Sequence, residues 1–200
     1  MRYVLLSVVA ACLGAVSVTA EAQADDARAK KIVGGSCFLC HGADGESGSE
    51  AFPRLAGQNA EYIARQLADF KSGRRKSSAM ASMVANLSPQ DMAALGQYFA
   101  SRPPHKEPAS DPQLAAAGQK LYAQGDESRG VHACAGCHGT DGAGNAQLPR
   151  LAGQHAAYLE NQLKQFHTRE RTNDNAVMHN IVVKMTPQEM AAVSEYLSGQ

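Results

Sequence analysis

Two short runs in this 200-residue chain carry residue types that do chemistry: Cys37-Phe38-Leu39-Cys40-His41 and Cys134-Ala135-Gly136-Cys137-His138. In each, two thiols stand three positions apart on what would be one helical turn, and an imidazole follows at once. That spacing lets each thiol form a thioether with one vinyl group of the same porphyrin while the histidine presents a ring nitrogen to the iron. It is the pattern of c-type haem attachment, and it predicts two haem c groups. Other uses of the same residues fit less well. A four-ligand zinc site gathers its cysteine pairs within a short stretch, whereas these pairs are about a hundred residues apart. A thioredoxin-like redox pair needs a βαβ setting, and alternating strand patterns are missing here. Disulfides within each pair would suit an oxidising compartment but leave His41 and His138 unexplained.

An iron held by a histidine takes its sixth ligand from elsewhere, commonly a methionine or a second histidine. Two equivalent methionine pairs occur, Met80 with Met178 and Met92 with Met190. Met92 and Met190 keep step with an apolar helical stripe and read as core. Met80 and Met178 follow polar stretches, where a loop could swing across the open haem face, and are the expected axial ligands. Met83 matches Ile181 and Met185 matches Leu87, so both behave as exchangeable hydrophobes. His179 competes with Met178, although its counterpart in the first half is Ala81. His105, His132, His155 and His167 read as solvated or capping residues. Filling both axial positions leaves no vacancy for a substrate, which favours electron transfer over catalysis, so no catalytic residue is expected.

Second-shell groups tune such sites. Pro53 and Pro149 stand a short loop after their histidines, where a prolyl carbonyl can accept the other imidazole N–H. Arg54 and Arg150 are candidates for pairing with haem propionates, since guanidinium matches carboxylate geometry.

These residues are positioned by a duplication. Pro53-Arg54-Leu55-Ala56-Gly57-Gln58 returns identically as residues Pro149 to Gln154. Tyr62, Gln66, Leu67 and Phe70 return as Tyr158, Gln162, Leu163 and Phe166, and Leu87-Ser88-Pro89-Gln90 returns as Met185-Thr186-Pro187-Gln188. Between the copies, Pro103, Pro104, Pro108 and Pro112 oppose helix and favour an extended connector. The reading is a leader over residues 1–24, domain 1 over 25–101, a linker over 102–112 and domain 2 over 113–200. The expected fold class is all-α. Ser88 and Thr186 open capped helices with proline in the first turn, and apolar stripes predict further helices over 59–71 and 155–167. Gly42 to Gly48 and Gly139 to Gly144 read as loops.

The apolar run from Val4 to about Val18 and the small residues ending at Ala24 have the layout of a secretory signal peptide, predicting a periplasmic protein. Cys12 resembles a lipoprotein site, but the apolar run continues past it, so it is expected to leave with the leader. The remaining four cysteines are the two pairs. Lysine and arginine number 19, as do aspartate and glutamate, so the chain shows no basic excess of the kind that marks nucleic-acid binders. No later stretch is long and apolar enough to span a bilayer, although peripheral membrane association is compatible with the sequence.

With both Cys-x-x-Cys-His-Gly motifs, the two Leu-Ala-Gly-Gln segments, the run Gly153 to Tyr158, and Arg171-Thr172-Asn173-Asp174 ahead of Met178, the chain resembles the cytochrome c4 family. The resemblance covers the whole chain beyond the leader. It implies two tandem class I cytochrome c domains, each wrapped around a covalently bound haem, with His41/Met80 and His138/Met178 ligation and haems facing each other across a domain interface. It further implies single-electron delivery in a respiratory chain, from a quinol-oxidising complex toward a terminal oxidase. Phe38-Leu39 is bulkier than Ala135-Gly136, which leaves the order of the two potentials open. The alternatives are a dihaem subunit of a larger dehydrogenase, such as a sulfide-oxidising flavocytochrome, and a small dihaem enzyme.

Overall fold

Ser88 and Thr186 each close a capping box in the computed structural model, which describes residues 22–200. The backbone N–H groups of Ser88 and Thr186 each donate to the carboxylate three residues on, at 2.8 Å in both cases, and the hydroxyls accept in return. Two otherwise orphaned donors per helix are thereby satisfied, and the helices α5 (Pro89–Ala100) and α10 (Pro187–Ser198) start where the residue types require.

The remaining helices follow in the same order in both halves. In domain 1, α1 covers residues 22–32 and runs through a π-helical turn, Val33–Cys37, into α2 (Phe38–His41). Then come α3 (Ala60–Ser72) and α4 (Ser78–Val84) before α5. Domain 2 repeats this as α6 (Pro112–Gln124), α7 (Ala135–His138), α8 (Ala156–His167) and α9 (Val177–Val182) before α10. Among the described residues the sole β contact is an isolated bridge between Asp126 and Val131. Residues 22–24 of the expected leader are helical; the rest of it, Cys12 included, lies outside the described residues.

Each domain closes around its own apolar cluster. In domain 1 it holds Ala29, Val33, Ile63, Ala94, Leu95, Tyr98 and Phe99. In domain 2 it holds Tyr122, Leu159, Phe166, Val182, Met190, Val193 and Leu197, among others. Met92 and Met190 are buried core residues, as their stripe predicts. In domain 2 the first and last helices cross closely. Gly118 of α6 lies against the backbone of Ala192 in α10, where a Cβ would overlap the carbonyl oxygen. Gly118→Ala therefore has to push α6 off α10. It is expected to cost on the order of 3 kcal/mol, the upper end for overpacked sites, read as a lowered urea midpoint for domain 2.

Three details depart from expectation. Met80 and Met178 are not on loops but in the first turns of α4 and α9. The Met80 N–H donates to the N-cap Ser77 Oγ at 3.3 Å and the Met178 N–H to Asp174 Oδ2 at 2.6 Å, so side-chain acceptors in the polar stretches satisfy the first N–H groups of both helices. The fourth linker proline, Pro112, opens α6, because Asp111 caps it and a first-turn proline has no N–H to lose. Domain 2 also reaches its motif by a detour. The chain leaves α6 at Gly125 and makes a 3-10 turn at Glu127–Arg129. The detour is pinned to the start of α10 by Arg129 on Glu189 and by Lys184 Nζ donating to Gly130 O at 2.9 Å.

Candidate haem sites

The four motif cysteines form no disulfides. Cys37 and Cys134 are half-buried at the starts of α2 and α7, and Cys40 and Cys137 are exposed one turn on. Burial pushes the thiol of Cys134 up to about 11 and raises that of Cys37 as well. Met178 and Cys134 pack on the same apolar cluster of domain 2, whereas Cys37 packs on that of domain 1. Met80 and Met178 are both half-buried.

His41 and His138 end their helical turns as buried side chains. The Nδ1–H of His41 donates to Pro53 O at 2.9 Å and that of His138 to Pro149 O at 3.4 Å. This arrangement fixes the tautomer and leaves each Nε2 lone pair for a metal. Burial lowers the pKa of both imidazoles, with the prolyl carbonyl acting in the opposite sense, so both are neutral as ligation requires. The carbonyls of Pro53 and Pro149 thus accept from equivalent histidines in the two domains. His179 gives its Nδ1–H to Phe166 O at 2.9 Å, anchoring α9 to α8.

The two halves meet through reciprocal amides. Gln58 donates to Arg150 O and accepts from the Arg150 N–H, at 2.8 and 2.7 Å. Gln154 does the same with Arg54 O and the Arg54 N–H, both at 2.9 Å. The guanidinium of Arg54 donates to Gly153 O across the interface at 2.8 Å. The Nε atoms of Arg54 and Arg150 are buried without a protein acceptor.

Sequence reasoning missed a second polar layer of this interface. Arg75 donates to Gln66 Oε1, Tyr158 OH and Gln162 Oε1 at 2.8 to 2.9 Å. Arg171 donates to Gln162 Oε1 at 2.7 Å, Tyr62 OH at 2.9 Å and Gln66 Oε1 at 3.1 Å. Neither guanidinium is paired with a carboxylate among the described residues; Asp69 beside them is engaged by Arg74 and Asn173. Two arginines drawn into an interface on neutral acceptors call for a compensating anion. Haem propionates are such anions, so this cluster, the free Nε2 atoms and the motif thiols together fit a haem in each domain. The signal was present: Arg75 follows Phe70 by the same interval as Arg171 follows Phe166, and a glutamine recurs on each apolar stripe.

Comparison with known proteins agrees. The family model described as cytochrome c matches residues 115–200, and that described as cytochrome c oxidase, cbb3-type, subunit III matches residues 24–99. A cytochrome c4 of Azotobacter vinelandii is 42% identical over 189 residues, covering 88% of this chain and 90% of the relative. A thiosulfate dehydrogenase electron acceptor of Thiomonas intermedia is 38% identical over 170 residues, covering 82% and 78%. The crystal structure of reduced recombinant cytochrome c4 from Pseudomonas stutzeri superposes with a TM-score of 0.81 at 38% identity, covering 89% of this chain and 97% of that one. Two helical cytochrome c domains, two covalently bound haem c groups and a role in electron transfer follow, and the chain belongs to the cytochrome c4 family.

Proposed function

We propose that the protein is a periplasmic electron carrier, not an enzyme, that takes single electrons from a quinol-oxidising complex and passes them toward a terminal oxidase. In this reading Cys37 and Cys40 hold one haem and Cys134 and Cys137 the other. The axial pairs are His41 with Met80 and His138 with Met178, Pro53 and Pro149 orient the histidines, and Arg54 and Arg150 assist at the propionates. The domains are assigned to residues 25–101 and 113–200. Bound haem supplies a one-electron couple. The chain's own residues bury it, set its axial field and hold the two sites against each other. The observation that carries the reading is the continuous hydrogen-bonded interface between two equivalent histidine sites, because a paired geometry suits transfer from one to the other.

No helix among the described residues is long and apolar enough to cross a membrane. Four propionates would make a chain of zero formal charge acidic, which favours a basic patch on the partner. The test is stopped-flow oxidation of the reduced protein by terminal oxidase membranes at rising salt. The expected result is rapid oxidation that slows with ionic strength; oxidation at no more than the background rate overturns the proposed acceptor.

A second reading rests on the Thiomonas relative, whose name makes it the electron acceptor of a thiosulfate dehydrogenase. Reduction by such a dehydrogenase with thiosulfate, faster than by a quinol-oxidising complex, would move the donor assignment there. Turnover of thiosulfate by the protein alone would make it an enzyme.

A further inference from the structure

The reciprocity of the interface is incomplete, and one position where it fails bears on a haem site. Asn59 and His155 are equivalent, each preceding the first residue of its helix, α3 or α8. Asn59 donates through Nδ2 to Leu148 O at 2.8 Å and to Ala143 O at 3.2 Å. His155 is buried instead of solvated or capping, as its sequence position suggested, and its side chain makes no cap bond. Its Nε2–H reaches across the interface to Ser47 O at 2.9 Å.

Ser47 is itself an unusual residue. It is 2% exposed and has φ of +42°, where its counterpart in domain 2 is Gly144 at +66°. Its N–H donates to His41 O at 2.9 Å. Its Oγ lies within hydrogen-bonding distance of three carbonyls, Phe52 at 2.9 Å, Ser49 at 3.1 Å and Cys40 at 3.4 Å. Ser47 therefore ties the end of the attachment motif to the loop that carries Pro53, the acceptor of the His41 Nδ1–H. Gly144 keeps the backbone bond to His138 O, at 2.8 Å, but has no side chain to clamp its loop. The imidazole-to-proline distance is 2.9 Å in domain 1 and 3.4 Å in domain 2.

We infer that His155, a residue of domain 2, is a positioning residue for the haem site of domain 1: by holding Ser47 it sets the hydrogen bond from His41 to Pro53. The inference rests on His41 being an axial ligand. A tighter bond from Nδ1–H makes the imidazole more basic and stabilises the oxidised iron. The contact between domains thus lowers the potential of the first haem relative to the second. The bond to Ser47 O needs a ring proton on Nε2, which the Nε2–H tautomer and the imidazolium both supply. Burial and the nearby Arg54 lower its pKa, and His105 acts in the same sense; the Ser47 carbonyl and Glu50 act the other way.

The test uses the full dihaem protein with three substitutions. His155→Leu removes the donor, His155→Gln restores an amide donor of similar reach, and Ser47→Gly keeps the backbone bond but deletes the clamp, using the residue domain 2 already has. The readouts are the midpoint of each haem and the His41 Nδ1 proton resonance of the reduced protein. His155→Leu and Ser47→Gly are expected to raise the domain 1 midpoint, leave that of domain 2 in place and shift the proton upfield, with His155→Gln returning both toward the parent. Unchanged midpoints, or equal shifts in both domains, overturn the inference while leaving the ligand assignment standing. A parent protein lacking histidine–methionine spectra would instead sink the ligand assignment itself.

Discussion

Met80→Ala and Met178→Ala are each expected to abolish about half of the weak methionine–iron band of the oxidised protein. Each should also lower one midpoint by on the order of a tenth of a volt or more, within the roughly 0.8 V that axial ligands command. The size follows from what stands ready to replace the thioether. Met92 and Met190 are 4% and 3% exposed, and pulling either out would open a cavity costing about 2–5 kcal/mol. Met83 is 51% exposed on the far turn of α4, and Met185 is buried. His179 is adjacent to Met178, but its Nδ1–H is already given to Phe166 O, which orients the ring toward α8. Each variant is therefore expected to show a high-spin or water-ligated iron in one domain and an undisturbed spectrum in the other. A band that survives either substitution undiminished would show that another side chain holds that iron.

Arg171→Met is expected to have the largest effect on stability, a loss of about 3 kcal/mol, because it removes several charge-assisted hydrogen bonds from a buried guanidinium and leaves the Tyr62 hydroxyl without its donor, while Gln66 and Gln162 keep Arg75. Arg171 is 7% exposed, and its guanidinium serves Gln162, Tyr62 and Gln66, the last two from the other domain, as well as Asn173 on its own segment. Its loss leaves the Tyr62 hydroxyl without that donor and strips one positive charge from between the two sites. Calorimetry should show one thermal transition splitting into two as the domains lose their coupling. Both midpoints should fall, since a cation nearby favours the reduced iron. Arg171→Lys keeps the charge but not the fork, so it should preserve the midpoints better than the stability. If Arg171→Met unfolds as the parent does, with unchanged midpoints, the cluster contributes neither cohesion nor charge.

Legibility varied with how local the cause was. Ser88 with Asp91 and Thr186 with Glu189 specify helix starts through bonds spanning three residues, so the pattern alone locates them. The cysteine pairs and their histidines likewise carry their chemistry within five positions. The short helices carrying Met80 and Met178 resemble loops in sequence because the side chains that accept their first N–H groups, Ser77 and Asp174, lie in stretches dominated by turn formers.

The polar residues of α3 and α8 show the limit most clearly. Gln66 and Gln162 repeat at the same place in both halves and sit within an apolar stripe, which announces an unusual environment but not its partner. Their partners are Arg75 and Arg171, arriving from both domains at once. The residues and spacing were enough to establish two haem-attachment motifs, a duplicated helical domain and an electron-transfer family, because each depends on contacts within a few turns of chain. Which side chains tie the halves together, and the burial of His155 against Ser47, depended on docking residues about a hundred positions apart, where a hydrogen bond's strength is set by distance and exclusion of water that no local pattern encodes.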